Sequence, residues 1–242
     1  MNLYEKYHLT RKLQKRVISK NDFTYRTVLS FAKKYENGRS RILDIGCGVG
    51  TVSLYLGANG KKVCGIDISR SGILVAKQNA KNFGLEKSIK FSVIDFPKVL
   101  PRKTFDLIIC SEVLEHIRND KMAVVRMNSI LRKGGVVIAS SPSLNAPLYK
   151  MGLLKNFDRE VGHLRRYKEE SFKNLFEAAE FKVLETKKTE GILRNFLFTN
   201  SFGGFLLRVL NKRPFSEIVT FLDNLTISLF GESNIYLVAQ KQ

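Results

Sequence analysis

Short apolar runs alternate with amphipathic segments through most of the chain, and this alternation predicts an α/β fold. Continuous runs of Val, Ile and Leu are typical of strands buried on both faces of a parallel sheet, whereas apolar residues three and four apart indicate helices. Right-handed crossovers would place successive strands side by side. The predicted strands cover 42–45, 62–67, 89–94, 105–110, 136–139, 181–187 and 234–241.

These elements predict one doubly wound, seven-stranded and mostly parallel sheet, with an antiparallel last strand. Two helices are expected within 3–36, ahead of the first strand. The stretch 142–167 is expected to be an irregular lid, because it is too long for a simple connection. The predicted parts of this single domain are a helical cap at 1–38, a core at 39–191, a helical insertion at 192–231 and the last strand at 232–242.

A glycine-rich turn follows the first predicted strand and reads R-I-L-D-I-G-C-G-V-G from Arg41. Gly46, Gly48 and Gly50 lack Cβ atoms, so the backbone can approach a ligand closely, and the next helix presents its free N–H groups at the same place. Asp67 ends the second predicted strand about 20 residues later, where a carboxylate can accept bonds from both hydroxyls of a ribose. Together these features favour a nucleotide-cofactor site over a plain tight turn.

The motifs resemble those of the class I S-adenosylmethionine-dependent methyltransferases. The first motif of that family, an acidic residue followed by G-x-G-x-G, is matched by Asp44 and the three glycines. The resemblance continues through F-S-V-I-D-F, F-D-L-I-I-C-S-E-V-L-E-H and G-G-V-V-I-A-S, and it covers most of residues 40–190. It implies a Rossmann-like methyltransferase fold, S-adenosyl-L-methionine as the cofactor, and an enzyme that transfers its methyl group.

The same resemblance assigns individual residues to the cofactor. Asp95 and Phe96 stand where the family receives the adenine, and Ser111 stands where the methyl group is presented. Arg26 is expected to hold the methionine carboxylate, although a solvated helix residue is an equally good interpretation. The predicted cofactor residues are Asp44, Gly46, Cys47, Gly48, Gly50, Asp67, Ile68, Asp95, Phe96, Ser111 and Arg26.

His163 and His116 are the predicted catalytic residues. A histidine can take a proton from an acceptor hydroxyl near neutral pH, and a hydrogen bond within its own loop is the alternative for His163. The E-V-L-E-H segment resembles the E-x-x-E-H of ubiquinone-biosynthesis O-methyltransferases, where these residues are associated with a metal. If the segment is helical, Glu112, Glu115 and His116 share one face. We nevertheless expect no metal, since the segment also occurs in methyltransferases without one.

A net charge of +19 raises nucleic acid or an anionic membrane as a partner. The basic residues are spread along the chain, and C-S-E-V-L-E-H lacks the Pro-Pro motif of the resembling nucleic-acid amino-group methyltransferases. Methyl transfer to oxygen of a small or lipid-like acceptor is therefore favoured over RNA modification or RNA binding. Three cysteines without metal-ligand spacing, and the lack of a long apolar run, predict a cytoplasmic protein.

The predicted insertion at 192–231 is richer in Phe and Leu than a simple connection requires. Its helices are expected to pack on the sheet edge or in a dimer, to wall an apolar acceptor pocket, or to contact a membrane. Arg208, Lys212 and Arg213 stand beside apolar residues and suit peripheral membrane contact. The oligomeric state is left open.

Overall fold

The computed structural model of the chain describes residues 13–36, 40–199 and 215–242, together with Glu5, Gly38, Gly203, Phe205 and Leu206. The first of the two helices predicted for 3–36 lies largely outside the described residues. The three basic residues of the predicted insertion, Arg208, Lys212 and Arg213, lie outside them as well.

A single seven-stranded sheet organises the molecule. Its strands are β1 (Arg41–Ile45), β2 (Lys62–Asp67), β3 (Ile89–Val93), β4 (Phe105–Ser111), β5 (Leu131–Pro142), β6 (Phe181–Thr189) and β7 (Asn234–Lys241). The spatial order is β3-β2-β1-β4-β5-β7-β6, and β7 alone runs antiparallel to its neighbours. β2 and β3 follow β1 on one side of it, and β4 returns to pair on its other side. This change of side between β1 and β4 creates a crevice at their carboxyl ends. The predicted fold class is confirmed.

β5 differs from its predicted bounds because it begins directly after a helix. The sequence predicts a helix to Leu131, then a glycine turn and a strand at 136–139. In the structure Phe105 pairs with Leu131 and Leu107 pairs with Val136, so the residues between bulge out of the ladder. Gly134 takes a φ of 73° within this bulge. The glycines therefore bend a strand where the sequence pattern indicated its start.

Helices cover both faces of the sheet. They are α1 (Arg26–Tyr35), α2 (Thr51–Ala58), α3 (Arg70–Asn82), α4 (Asp120–Ile130), α5 (Pro147–Lys150), α6 (Lys155–Val161), α7 (Glu169–Glu177), α8 (Ile192–Thr199) and α9 (Phe215–Phe230), with a 3-10 turn at Leu114–His116. Leu29, Leu54 and Ile73 bury the inner sides of α1, α2 and α3 against one face. Val124 of α4 and Phe172 of α7 do the same on the other. The carboxyl edge of the strands is left for the loops.

The predicted irregular lid contains two short helices, which corrects that expectation. α5 has four residues and begins with a proline, and α6 has seven residues of which none is buried. Such helices carry no apolar periodicity, so the sequence pattern could not indicate them. Backbone bonds to the start of the next segment, from Leu144 N to Tyr167 O and from Tyr167 N to Pro142 O, close this stretch into a loop over the crevice.

The predicted insertion contributes α8 and α9, as its composition led us to expect. Asp223 of α9 accepts hydrogen bonds from the backbone N–H groups of Gly191 and Arg194, so it holds the first turn of α8. Among the residues that the structure describes, no helix is both long and apolar enough to cross a bilayer. That the whole chain forms one domain stays a prediction.

Candidate active site

A cavity of about 940 Å³ opens at the carboxyl edge of β1, β2 and β4. Eleven of the thirteen predicted site residues line it, whereas Gly50 and Arg26 do not. The lining residues are Asp44, Gly46, Cys47, Gly48, Asp67, Ile68, Asp95, Phe96, Ser111, His116 and His163. The structure therefore brings together side chains that are as far apart as residues 44 and 163 in the sequence.

The glycine turn is fastened to the neighbouring strand. The N–H groups of Gly46 and Cys47 both donate to the carbonyl of Ile66, at 2.8 and 3.0 Å. Gly46 has a φ of 70°, and a methyl group there would lie 2.4 Å from a methyl of Val113. A side chain at this position would push the turn away from the 3-10 segment, so glycine keeps the cavity wall open.

Gly50 shapes the turn from behind, and we expect Gly50→Ala to be strongly destabilising. Its φ is 86°, and an added methyl would lie 2.7 Å from the Phe91 ring. Strain and overpacking together should lower the free energy of unfolding by about 2–5 kcal/mol. Gly60→Ala is the matched control, because Gly60 has a φ of 81° with nothing within 4 Å of the added methyl. Equal losses for the two variants in urea denaturation would contradict the steric part of this account.

Asp67 ends β2 with its carboxylate at the glycine turn. Oδ2 accepts from Gly48 N at 2.8 Å and Oδ1 accepts from Ser69 N at 2.8 Å. Each carboxylate oxygen keeps a further lone pair, and the side chain lines the cavity. The residue thus holds the turn and still presents acceptors to a ligand.

Asp44 lies beneath the turn and is buried. Its Oδ2 accepts from Ser53 Oγ at 2.6 Å. Burial raises the pKa of Asp44 to about 7, although the bond from Ser53 opposes that rise, and the nearby charge of Asp67 adds to it. A positive charge arriving in the cavity would favour the ionised form.

The remaining predicted cofactor residues divide between the wall and its surroundings. Asp95 and Phe96 line the end of the cavity beyond β3, and Asp95 Oδ2 accepts from Lys98 Nζ at 2.8 Å. Ser111 shares a hydrogen bond with Ser140 Oγ at 2.8 Å. Arg26 begins α1 outside the wall, and its Nη2 donates to the carbonyl of Asn21 at 3.3 Å. Its expected contact with the methionine carboxylate stays a prediction.

A second group of side chains lies on the lid side of the cavity. Glu115 is fully buried, and its Oε2 accepts from Ser141 Oγ at 2.9 Å. Its Oε1 has no hydrogen-bond partner among the described residues, and it lies 3.9 Å from His116 Nε2 and 4.0 Å from His163 Nε2. Burial raises the pKa of Glu115 well above its ordinary value, and the charge of Glu112 adds to the effect. The three ligand atoms could face one ion.

His163 is oriented by a carboxylate. Its Nδ1 donates to Asp158 Oδ1 at 2.9 Å, which leaves Nε2 as the acceptor nitrogen of the ring. Arg166 donates to both oxygens of Asp158. Burial works against ionisation of Asp158, but the bonds from His163 and Arg166 outweigh it and hold its pKa below the usual value. The ring is therefore held in one tautomer.

His116 is the second histidine of this group. Its Nδ1 pairs with the carbonyl of Gly162 at 3.0 Å, and its ring centre lies 4.9 Å from that of His163. Burial lowers the pKa of His116, the bond to Gly162 opposes this, and His163 adds to the lowering. Near neutral pH the ring is neutral, with Nε2 toward Glu115.

Glu112 does not share a face with Glu115 and His116, because the segment is not a continuous helix. Glu112 has a left-handed φ of 56°, and the 3-10 turn begins two residues later. Its Oε1 accepts from Ser140 Oγ at 2.8 Å and from Asn234 Nδ2 at 3.0 Å. The helical condition for a Glu112, Glu115 and His116 metal site is thus not met, and His163 replaces Glu112 in the group.

Sequence reasoning offered the insertion as a wall of an acceptor pocket, but it named none of the individual residues of the wall that α8 and β7 form. Glu190, Asn195, Asn234 and Tyr236 line the cavity there. They lie beside or within the predicted insertion and the last strand, whose position depends on the pairing of β7 with β5. No motif or spacing in the sequence signals them.

Comparisons with known proteins fit this geometry. A family model described as a methyltransferase domain matches residues 12–186. The ubiquinone biosynthesis O-methyltransferase of Glaesserella parasuis is 33% identical over 115 residues, which are 46% of this chain and 49% of that protein. The protein of that name from Idiomarina loihiensis is 24% identical over 181 residues, 74% of each chain. At 31 to 33% identity, the chain spans about half the length of the curated relatives it matches.

Solved structures share the fold at lower identity. Phosphoethanolamine N-methyltransferase 2 of Haemonchus contortus, in complex with S-adenosyl-L-methionine, has a TM-score of 0.69 at 15% identity and covers 98% of this chain and 56% of its own. Magnesium protoporphyrin IX methyltransferase from Synechocystis, with bound S-adenosylhomocysteine, has a TM-score of 0.64 at 16% identity. The match covers 98% of this chain and 93% of that protein. The comparisons do not support the RNA alternative. Because the family model matches well over half of its residues, this chain belongs to the methyltransferase-domain family.

Proposed function

We propose that the protein transfers the methyl group of S-adenosyl-L-methionine to an oxygen of a small or lipid-like acceptor. The observation that carries the proposal is one cavity with two differently equipped ends. The glycine turn and Asp67 lie at one end, and the oriented His163 lies at the other. When bound, S-adenosylmethionine supplies an activated methyl group on a sulfonium sulfur, so the protein has to position the acceptor and remove its proton.

The residues of the glycine turn suit the cofactor. Gly46 leaves space that a side chain would fill, and Asp67 presents acceptors suited to ribose hydroxyls. Asp95 and Phe96 offer an acceptor and an apolar surface to the adenine. Asp44 supplies a carboxyl group that ionises near neutral pH beside the turn.

His163 is the proposed general base. Asp158 fixes the proton on Nδ1 and stabilises the imidazolium that forms when Nε2 takes a proton. Arg166 keeps Asp158 ionised by donating to both of its oxygens. Glu115 Oε1 lies 4.0 Å from the same Nε2, and the His116 ring packs beside that of His163, so both residues border the space in which the acceptor hydroxyl meets the base.

A metal ion at this group would compete with that function, because Nε2 of His163 cannot bind an ion and accept a proton together. Neighbouring ligands of a tetrahedral or octahedral ion stand about 3.0–3.4 Å apart when each lies about 2.1 Å from it. The separations around Glu115 Oε1 are 3.9 and 4.0 Å, so the group would have to contract to hold such an ion in neighbouring positions. Glu115, His116 and His163 would be the ligands if an ion were held. We propose that methyl transfer does not need one.

Cofactor affinity should depend on pH through Asp44. A sulfonium cation favours the ionised carboxylate, so binding lowers the pKa of about 7 and affinity rises with pH. Between pH 6 and pH 8 we expect S-adenosylmethionine to bind about tenfold more tightly at the higher pH. Calorimetric titration of the full chain measures this, and Asp44→Asn should greatly reduce the dependence. Absence of binding at both pH values would refute the proposed function itself.

The burial pattern of α9 supports the lipid-like acceptor and the membrane contact, because this helix buries polar residues and exposes apolar ones. Ser216 and Asp223 are the buried residues of α9, whereas seven of its large apolar side chains are exposed. Phe221 is 64% exposed and Leu229 is 78% exposed. Large exposed apolar surfaces mark contact sites, and a chain with a net charge of +19 is attracted to anionic lipid.

The surface around α9 extends the same character. A methyl added at Gly231, the residue after α9, would lie 3.2 Å from Lys150 Nζ, so a cation borders this end. Met151 and Leu153 follow Lys150 and are both more than 60% exposed. Apolar side chains beside a lysine are the composition of an interfacial membrane contact. We therefore propose an anionic membrane as the partner of this surface.

Vesicle flotation tests the membrane contact. We expect the protein to float with vesicles of phosphatidylcholine and phosphatidylglycerol at low salt, and salt should weaken this binding without abolishing it. The double variant Phe221→Glu with Leu229→Glu should reduce the floating fraction at least fivefold. Leu74→Glu is the control, since Leu74 is an exposed apolar residue of α3. No flotation at low salt would contradict the proposal. If the unaltered protein is a dimer and the double variant is a monomer, this face is an interface between copies instead.

A further inference from the structure

We propose that Glu112, Glu190 and Asn234 form a subsite that binds a protonated amine on the methyl acceptor. This inference rests on the proposed methyl transfer and narrows its acceptor to a hydroxyl compound that also carries an ammonium group. All three side chains line the cavity, on the wall formed by the end of β4, the start of β7 and the residues ahead of α8.

Backbone strain marks two of the three positions. Glu112 has a φ of 56° and Glu190 has a φ of 65°, although neither is a glycine. Left-handed backbone is unfavourable for a glutamate, and it persists where the surrounding structure enforces it, often at functional sites. Of the three residues other than glycine that take a positive φ in the described part of the chain, Glu112, Glu180 and Glu190, the first and the last line this cavity.

Hydrogen bonding leaves an acceptor of Asn234 without a donor. Asn234 bonds to Glu112 Oε1 at 3.0 Å, and because a carboxylate only accepts, the amide must present Nδ2 to it. Oδ1 then points elsewhere, and it finds no hydrogen-bond partner among the residues that the structure describes. The residue is only 6% exposed. A buried amide oxygen on a cavity wall requires a donor, which a ligand can supply.

The charge of the subsite is out of balance. Within the described part of the chain, Glu190 forms one ion pair, between its Oε1 and Arg194 Nη2 at 3.1 Å, and Glu112 forms none. Arg194 also donates to the carbonyl of Phe23 at 2.8 Å, so its guanidinium is divided between two acceptors. Two carboxylates and one guanidinium leave a net charge of −1. Burial raises the pKa of Glu190 to about 6, Arg194 opposes the rise, and Glu112 and Asp223 add to it.

An ammonium group answers all three observations. It donates three hydrogen bonds, enough for the two carboxylates and the amide oxygen, and its charge neutralises the subsite. A carboxylate or phosphate would meet acceptors and like charge instead. His163 lines the same cavity, so a hydroxyl of the same molecule can face the base while the amine is held.

Two matched probes test the proposal. Tyramine and 3-(4-hydroxyphenyl)propionate share a phenol and a two-carbon link, and they differ in carrying an ammonium or a carboxylate. Each is titrated calorimetrically into the full chain, with and without saturating S-adenosylhomocysteine. We expect tyramine to bind at least tenfold more tightly than the propionate. Equal or weaker binding of tyramine, or no saturable binding of it up to 20 mM, overturns the proposal.

Two variants test whether the subsite causes the preference for tyramine over the propionate. Glu112→Gln and Glu190→Gln should each reduce this preference at least threefold. They should leave S-adenosylhomocysteine affinity within twofold, which also shows that the variants fold. Glu160→Gln is the matched control, because Glu160 lines the cavity from α6 outside the subsite. If the two variants lose cofactor affinity and keep the preference, the subsite holds the amine of the cofactor and the proposal is wrong. Failure of S-adenosylhomocysteine to bind the unaltered protein counts against the proposed function alone, because the probe preference is also measured without it.

Discussion

Asp67→Ala should weaken the binding of S-adenosylhomocysteine by more than tenfold in a calorimetric titration. A hydrogen bond to a charged group contributes about 1.5–3 kcal/mol, and about 1.4 kcal/mol corresponds to tenfold in affinity. The substitution removes the proposed ribose acceptor. It also frees the N–H groups of Gly48 and Ser69, so the glycine turn loses one of its attachments to the end of β2, whereas the bonds from Gly46 and Cys47 to the carbonyl of Ile66 remain.

The control for this variant is Asp106→Ala. Asp106 lies near the amino end of β4, at the end of the strands opposite the cavity. Asp106 Oδ2 also holds two backbone N–H groups, those of Ser40 and Arg41, and its Oδ1 pairs with Arg132. Its loss should cost stability and leave cofactor affinity within twofold. Unchanged affinity in folded Asp67→Ala would remove Asp67 from the cofactor site.

His163→Ala should lower turnover by about 10²- to 10⁴-fold, the range of general base catalysis, while cofactor affinity stays within twofold. The reason is that His163 lies at the lid side of the cavity and holds its proton acceptor there through Asp158. Asp158→Asn should also lower turnover, because an amide cannot stabilise the imidazolium. Steady-state kinetics with the acceptor and calorimetry with the cofactor measure the two effects separately.

Lost cofactor affinity with normal turnover at saturation would reassign His163 to holding the cofactor. Repeating the kinetics after dialysis against EDTA distinguishes the base from a metal ligand. We expect turnover to persist. Turnover that disappears and returns with a divalent cation would make Glu115, His116 and His163 a metal site.

The elements with strong local patterns could be predicted from the sequence. The bounds of β2 and β7 agree with prediction, because both are apolar runs between clear breaks. The glycine turn, and its convergence with Asp67 and Asp95, followed from motifs that lie at the carboxyl ends of parallel strands. α5 and α6 were not predictable, since one is too short and the other buries no side chain.

The acceptor side of the cavity depends on tertiary placement that local patterns do not encode. His163 approaches Glu115 across a long loop, and Glu112 turns away through a backbone conformation that glutamate rarely adopts. The sequence showed an apolar insertion but could not show that α9 attaches through Asp223 and leaves its apolar side outward. Which side of such a helix is buried depends on its tertiary contacts, and the local pattern of apolar residues does not encode them.

Transfer of labelled methyl groups shows whether the protein is a methyltransferase that acts on oxygen of a small or lipid-like acceptor. The full chain is incubated with S-adenosylmethionine carrying a tritiated methyl group and with lipid, small-molecule and RNA fractions of a cell extract. We expect label to enter the lipid or small-molecule fraction as a methyl ether that resists mild alkali, and His163→Ala should greatly reduce it. Label in the RNA fraction, or none in any fraction while the cofactor binds, would contradict the account.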